Sequence, residues 1–226
     1  MSTLDLSGKV AIVTGAGQPA GAAVARVLAA AGVRVAVNDL NPDRIARLAA
    51  ELRAAGGQAL DIAADTASKF QCVTLIETTR AEWERVDILI NAAIVRPAAP
   101  VLKMDEWEWA RCHDVNLKSV FFMCQLAGRV MDDQNRATPS ERGGLIVNVA
   151  WPEPDEDGRA AFAAGQAGVV AFGRACAREF APLGIRVHTV LADPAAPEAV
   201  AGEVGQWVST QQVSASVLRQ TDPLTH

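Results

Sequence analysis

The sequence contains no tyrosine at all, which excludes a phenolic proton donor anywhere in the chain. No lysine follows Lys118, so the rest of the chain has no ammonium to hold a ligand or shift a neighbour's pKa. The three histidines, His113, His188 and His226, show no metal-ligand spacing, and zinc is not indicated. The four cysteines, Cys72, Cys112, Cys124 and Cys176, form no Cys-x-x-Cys pair and read as reduced thiols of a cytoplasmic protein. No apolar run approaches the roughly 20 residues that span a bilayer, and Met1-Ser2-Thr3-Leu4-Asp5 is too polar for a secretory signal. A formal net charge of −5 argues against nucleic-acid or anionic-membrane partners, both of which want a basic face. What remains is 226 residues, 50% of them apolar. That suffices for one domain, 1–226, with a core that needs neither disulfides nor metals.

Short apolar runs alternate with helical stretches along the chain. Strands are expected at Lys9–Val13, Val33–Val37, near Gln58–Ala63, and at Asp87–Ile90, Leu145–Val149 and Ile185–Val190. Helices are expected at Ala20–Ala31, from Asn41-Pro42-Asp43 to near Gly56-Gly57, and at Asp105–Met131 and Ala160–Ala181. Fully apolar strands between helices imply a parallel sheet covered on both faces, a Rossmann-type doubly wound α/β fold. Two segments read as loose: Asp132–Arg142, and Pro152–Gly158 with its acidic Glu153, Asp155, Glu156 and Asp157.

The first strand runs into Thr14-Gly15-Ala16-Gly17-Gln18-Pro19-Ala20-Gly21 and then a helix, a turn that lets backbone amides approach a pyrophosphate. This resembles the short-chain dehydrogenase/reductase family, whose turn reads Thr-Gly-x-x-x-Gly-x-Gly. Thr14, Gly15 and Gly21 match, whereas Pro19 stands at the middle glycine, with no N–H and a ring in the way of phosphates. The resemblance places Asp39 on the ribose hydroxyls of NAD and against the extra phosphate of NADP. It places Asp65 beside the adenine, and Asn91-Ala92-Ala93 at the family's Asn-Ala-Gly.

In the same family Asn116, within Asp114–Phe122, is the catalytic asparagine of a proton relay. A serine follows strand five, and the next helix carries Tyr-x-x-x-Lys; the tyrosine moves the substrate proton and the lysine lowers its pKa. Here Trp151 fills the serine position, Phe162 the tyrosine position and Gln166 the lysine position. The resemblance therefore implies a site without its acid, and a cofactor crevice that is vestigial, with no tightly bound NAD. After strand six the family's long substrate lid is cut to a short link before Pro197–Val204. Ser216–Arg219 then resembles the last of seven strands.

These positions lead to an expected catalytically inactive chain, similar to the non-catalytic subunits of two-subunit dehydrogenases of the 2-(hydroxybenzyl)succinyl-CoA dehydrogenase type. Its expected partner is an active short-chain dehydrogenase subunit, in a heterotetramer. The helix faces with Val115, Phe122 and Leu126, with Val169, Phe172 and Cys176, and with Val204, Trp207 and Val208 would supply the contacts. The alternatives are an NAD(H)-sensing regulator that kept Asp39 and Asp65, and an oxidoreductase with catalytic groups relocated to His113, Asp114 or the acidic run.

Overall fold

A computed structural model describes residues 6–152 and 156–209. Its strands are β1 (Val10–Thr14), β2 (Arg34–Asp39), β3 (Ala59–Ala63), β4 (Ile88–Asn91), β5 (Leu145–Ala150) and β6 (Arg186–Leu191). The helices are α1 (Pro19–Ala30), α2 (Pro42–Ala54), α3 (Lys69–Trp83), α4 (Glu106–His113), α5 (Ser119–Ala137), α6 (Ala160–Phe180) and α7 (Val200–Ser209). All strand pairs are parallel, in the order β3-β2-β1-β4-β5-β6.

The winding explains that order. From β1 the chain moves outward to β3, then restarts with β4 on the other side of β1 and moves outward to β6. The two halves part at the carboxyl ends of β1 and β4, where open parallel sheets bind ligands. Every residue of β1 is buried because both faces of this central strand are covered. On one face Val24 and Leu28 of α1, Ile45 and Leu48 of α2, and Val200 and Val204 of α7 pack on Val13, Val37 and Val147. On the other, Leu75 and Ile76 of α3, Val120 and Met123 of α5, and Val169 and Cys176 of α6 pack on Ile12, Leu89 and Ile146. Helix α6 with its 3₁₀ extension, Ala160–Leu183, is long and apolar enough to cross a membrane. It is instead a core helix of this second layer.

Each expected strand within the described residues is present, shifted by a residue or two at its ends. The expected strand at Ser216–Arg219 lies outside the described residues. Helix α2 starts as anticipated: the Asn41 side chain accepts from the Asp43 and Arg44 amides, and Pro42 occupies the first turn.

Helix α3 is an addition to the sequence reading. It buries only the narrow stripe Cys72, Leu75, Ile76 and Thr79, while its Phe70 faces solvent, so its apolar periodicity is faint. The single helix expected over Asp105–Met131 is three pieces, because a π-helical turn at Asp114–Lys118 separates α4 from α5. Helix α5 then runs on to Ala137, so half of the segment read as loose is ordered. Gln134 accepts from the Val86 amide and donates to its carbonyl, and the Asn135 amide donates to the Leu183 carbonyl.

Some of the expected assembly faces also turn inward. Val115, Val169, Cys176, Val204 and Val208 are buried within this one chain. Trp207 stacks on His188 with ring centroids 4.5 Å apart and planes 9° from parallel, so it anchors α7 to β6.

Candidate active site

At the carboxyl ends of β1 to β4 lies a crevice of about 530 Å³. Its walls include Gly15 and Gln18 of the first turn, Asn38 and Asp39 of β2, Arg44 of α2, Asp65 beyond β3, Ala93 to Val95 beyond β4, and Arg111 of α4.

The glycine-rich turn is shaped by close backbone approach. Gly15 has φ +64°, and a Cβ there would lie 2.5 Å from the Ala92 carbonyl oxygen. A Cβ on Gly21 would lie 2.5 Å from the Gly15 carbonyl oxygen, so the start of α1 sits directly on the turn. Thr14 ties the two halves of the sheet: its hydroxyl donates to the Ile90 carbonyl (3.3 Å) and accepts from the Ala92 amide (3.2 Å). Its role is structural, and its side chain is buried.

Pro19 is the first residue of α1, where its missing N–H would have had no intrahelical partner in any case. No side chain caps this helix and no acid lies in its first turn. The remaining first-turn amides, including those of Ala20 and Gly21, therefore keep their positive end for an anion. Pro19 costs the helix start one amide.

Asp39 forms the β2 wall. One carboxylate oxygen accepts from the Gly17 amide (3.2 Å) and the other from the Asn41 amide (2.9 Å). Each oxygen keeps a second acceptor position for an incoming hydroxyl. The buried Asn38 amide donates to the carbonyls of Ile62 (2.9 Å) and Ala64 (3.1 Å), fixing where β3 ends. Asp65 pairs with Arg111 (3.0 Å), and its other oxygen accepts from the Ala67 amide. That pairing, between residues far apart in sequence, makes α4 part of the crevice wall.

Asn91 departs from its expected cofactor role. Its side chain turns into the core, donating to Asn148 Oδ1 (2.9 Å) and toward Cys124 Sγ (3.5 Å), and it is absent from the crevice wall. Asn116, in the π turn, clamps the chain beyond β4. Its Oδ1 accepts from the Val95 amide (2.9 Å), and its Nδ2 donates to the Val95 carbonyl (2.9 Å) and toward Cys112 Sγ (3.2 Å). Burial pushes the Cys112 thiol up, so it stays protonated at neutral pH.

Phe162, 1% exposed, packs in a small cluster with Cys112, Ala161, Ile94, Met104 and Trp151. Gln166 accepts from the Trp151 amide (3.0 Å), so it braces the residue at the serine position. Above these rings sits Arg96, its guanidinium carbon 5.3 Å from the Phe162 centroid and 5.9 Å from that of Trp151. The sequence offered no sign of Arg96, which lies in an irregular stretch without periodicity. His113 bonds its own helix at the Trp109 carbonyl, and Asp114 pairs with Lys118. Glu156 pairs with Arg159 (2.9 Å). None of these three enters the crevice wall, while Glu153 and Asp155 lie outside the described residues.

Residues 9–207 match the family model for short chain dehydrogenases. The chain belongs to that family. D-threitol dehydrogenase of Mycolicibacterium smegmatis is 35% identical over 202 residues, covering 88% of this chain and 73% of the relative. A metagenomic short-chain oxidoreductase solved in complex with NADP superposes with a TM-score of 0.83 at 28% identity, over 94% of this chain and 95% of the other. NAD⁺-bound xylitol dehydrogenase gives a TM-score of 0.75 at 28% identity, over 82% and 70%.

These relatives overturn the expectation of a catalytically inactive short-chain dehydrogenase subunit. Homologues at this identity are named as working oxidoreductases, which points to an enzyme. The expectation of a vestigial crevice without NAD falls too, since structural neighbours hold NADP and NAD⁺. The physical reason is visible at Pro19 and Asp39. The proline removes an amide that the helix start could spare, and the carboxylate keeps its acceptor positions.

Proposed function

We propose that the chain is a nicotinamide-dependent oxidoreductase that interconverts an alcohol and a carbonyl, with NAD(H) preferred over NADP(H), acting in the cytoplasm. The observation that carries this is the open crevice at the sheet's switch point, with the Asp39 carboxylate on one wall and the uncapped start of α1 on another. The residues fit a dinucleotide: Asp39 would accept from the ribose hydroxyls and repel a 2′-phosphate, and the first-turn amides of α1 would receive the pyrophosphate. When bound, the nicotinamide supplies a hydride donor or acceptor.

The chain's own residues do the rest. Asn116 fixes Val95, and Gln166 fixes the backbone at Trp151. Phe162, Trp151 and Ile94 give the reacting end an apolar wall that limits water. No titratable side chain stands at position 162, so the substrate proton is exchanged with solvent. A positioned acid or base is worth about 10²–10⁴ in rate, so turnover is slow for the family but not lost.

Titrating the full chain with NADH, followed by nicotinamide fluorescence, tests the reading. The expected dissociation constant falls within roughly 1 μM–1 mM, weaker for NADPH. Coupled absorbance at the NADH band with short polyols and oxo compounds reads the chemistry. Absence of NADH binding across that range would refute the proposal. The assembly partner remains a proposal of lower rank. In that proposal a homologous dehydrogenase subunit would cover Phe121, exposed on α5 and edge-on to Phe172 of α6 at 6.3 Å.

A further inference from the structure

We propose that Arg96 is the recognition site for a carboxylate on the substrate, so that the alcohol or carbonyl acted on is a short hydroxy or oxo acid. This rests on the oxidoreductase reading above and names its substrate class.

Arg96 stands over the two rings that fill the family's serine and tyrosine positions, Trp151 and Phe162. The neighbouring cation, Arg159, is fully engaged. Its Nε and Nη2 meet Glu156, and its Nη1 donates to the carbonyls of Arg96 (2.9 Å) and Pro97 (3.2 Å). Arg96 itself has no carboxylate or carbonyl partner among the described residues. Among the described residues its exposed guanidinium is therefore without an ion-pair partner, above the rings at those two positions.

The geometry favours an anion there. A guanidinium within cation–π distance of two rings can still offer N–H groups to a carboxylate through two parallel hydrogen bonds. The backbone that carries Arg96 is pinned on both sides. Asn116 holds the amide and carbonyl of Val95, and Arg159 holds the carbonyls of residues 96 and 97. A charge on a fixed backbone, laid over two rings, is pre-organised and loses little freedom when it pairs. The rest of that wall (Ile94, Met104, Phe162) offers an anion no competing partner. The guanidinium lies 5.3 Å from the Phe162 centroid, so a carboxylate paired with it would lie near the family's tyrosine position. Short 2- or 3-hydroxy acids satisfy that spacing.

The test is calorimetric titration of the full chain, with and without saturating NAD⁺, using 3-hydroxybutyrate and its uncharged counterpart butane-1,3-diol. The carboxylate is expected to bind at least about tenfold more tightly, the factor a charge-assisted hydrogen bond provides. Arg96→Gln should bring the two ligands within about threefold, and Arg96→Lys should keep part of the preference because it keeps the charge. Matched thermal unfolding of both variants shows that the fold is unchanged. Equal affinity for the two ligands in the wild type, no binding of either, or a preference that survives Arg96→Gln would each overturn the proposal. Failure of NAD⁺ to bind would instead sink the oxidoreductase reading, while the titration without NAD⁺ still reports on Arg96.

Discussion

Replacing Asn116 by alanine separates a structural clamp from a proton relay. The side chain makes three contacts: it accepts from the Val95 amide, donates to the Val95 carbonyl, and donates toward the Cys112 thiol. Asn116→Ala leaves both backbone groups of Val95 without their partner. A buried donor or acceptor stranded in this way costs about 1–3 kcal/mol. Water reaching the partly buried Val95 softens that figure, so a total near 2–4 kcal/mol is expected. For a chain of this size, 1 kcal/mol moves Tm by about 2–4 °C, which gives a fall of roughly 5–15 °C. Thermal and urea unfolding followed by circular dichroism measure it. Residues 93 to 95 line the crevice, so NAD⁺ affinity should drop in parallel. Asn116→Asp adds a sign test. It keeps the acceptor for Val95 but sets a carboxylate oxygen against the Val95 carbonyl. Its folded-state pKa is then raised, and its stability is lost as pH rises through that pKa. The variant should therefore be closest to wild type in mild acid. A loss under about 1 kcal/mol in Asn116→Ala, with NAD⁺ binding intact, would refute the clamp.

Three further outcomes follow from particular contacts. Asp39→Asn should weaken NAD⁺ by about tenfold and raise NADP⁺ relative to it, since the change removes the charge and one acceptor oxygen; unaltered selectivity in paired titrations would refute this. Gly173→Ala places a Cβ 2.0 Å from Thr189 Oγ1, between α6 and β6. The resulting overpacking should cost about 1–3 kcal/mol in urea midpoint, with NAD⁺ affinity kept, and an unchanged midpoint would count against it. His188 has its pKa lowered by burial and by the nearby Arg186 charge. Stability therefore holds above the unfolded value of about 6.5 and is lost as pH falls below it; His188→Phe should flatten that acid limb, and an unchanged limb would contradict the assignment.

Much of the fold was legible because the strands are uninterrupted apolar runs, and a parallel sheet needs them so. Helix α3 was not, because only one narrow stripe of it reaches the core. The break at Asp114–Lys118 was hidden for a different reason: a π turn keeps helical residue types and differs only in its bonding. At the site, Asp39 was placed by its resemblance to the family's acidic residue, and it stands at the end of β2, where strand ends converge on the switch point. Pro19 was read from its place at the motif's middle glycine, and the helix start it occupies was not weighed enough. Its missing N–H matters only where that amide would have been used, and the first helical position is where it matters least. Asn91 was misjudged because an asparagine at a strand end can face the ligand or the core. The Asn148 amide oxygen beside it decides for the core. Arg96 and the Asp65–Arg111 pair depend on how separate loops meet, and no local pattern encodes that.

The roles of Asn116, Gln166, Asn38 and Asn91 share a property with kinetic consequences. Each holds the site through a neutral carboxamide, which fixes geometry without titrating. The thiol beside Asn116, Cys112, is kept protonated by burial. Among the described residues the reacting end therefore has a permanent cation in Arg96 and carboxamides that do not titrate. Alcohol oxidation must shed a proton, and without a side-chain base that proton leaves to solvent. An alkyl alcohol, like bulk water, is a far weaker acid than any side chain that titrates near neutrality, so deprotonation is far from complete anywhere in the accessible range. The logarithm of kcat/KM for oxidation should then climb with near-unit slope from about pH 6 to 9, without a plateau. Phe162→Tyr supplies the contrast. A phenol beneath Arg96 would have its pKa pulled below its usual value of about 10, and the profile should bend toward a plateau as that group ionises. A plateau near neutrality in the wild-type enzyme would show that a side chain takes the proton after all, and would send the search for it beyond position 162.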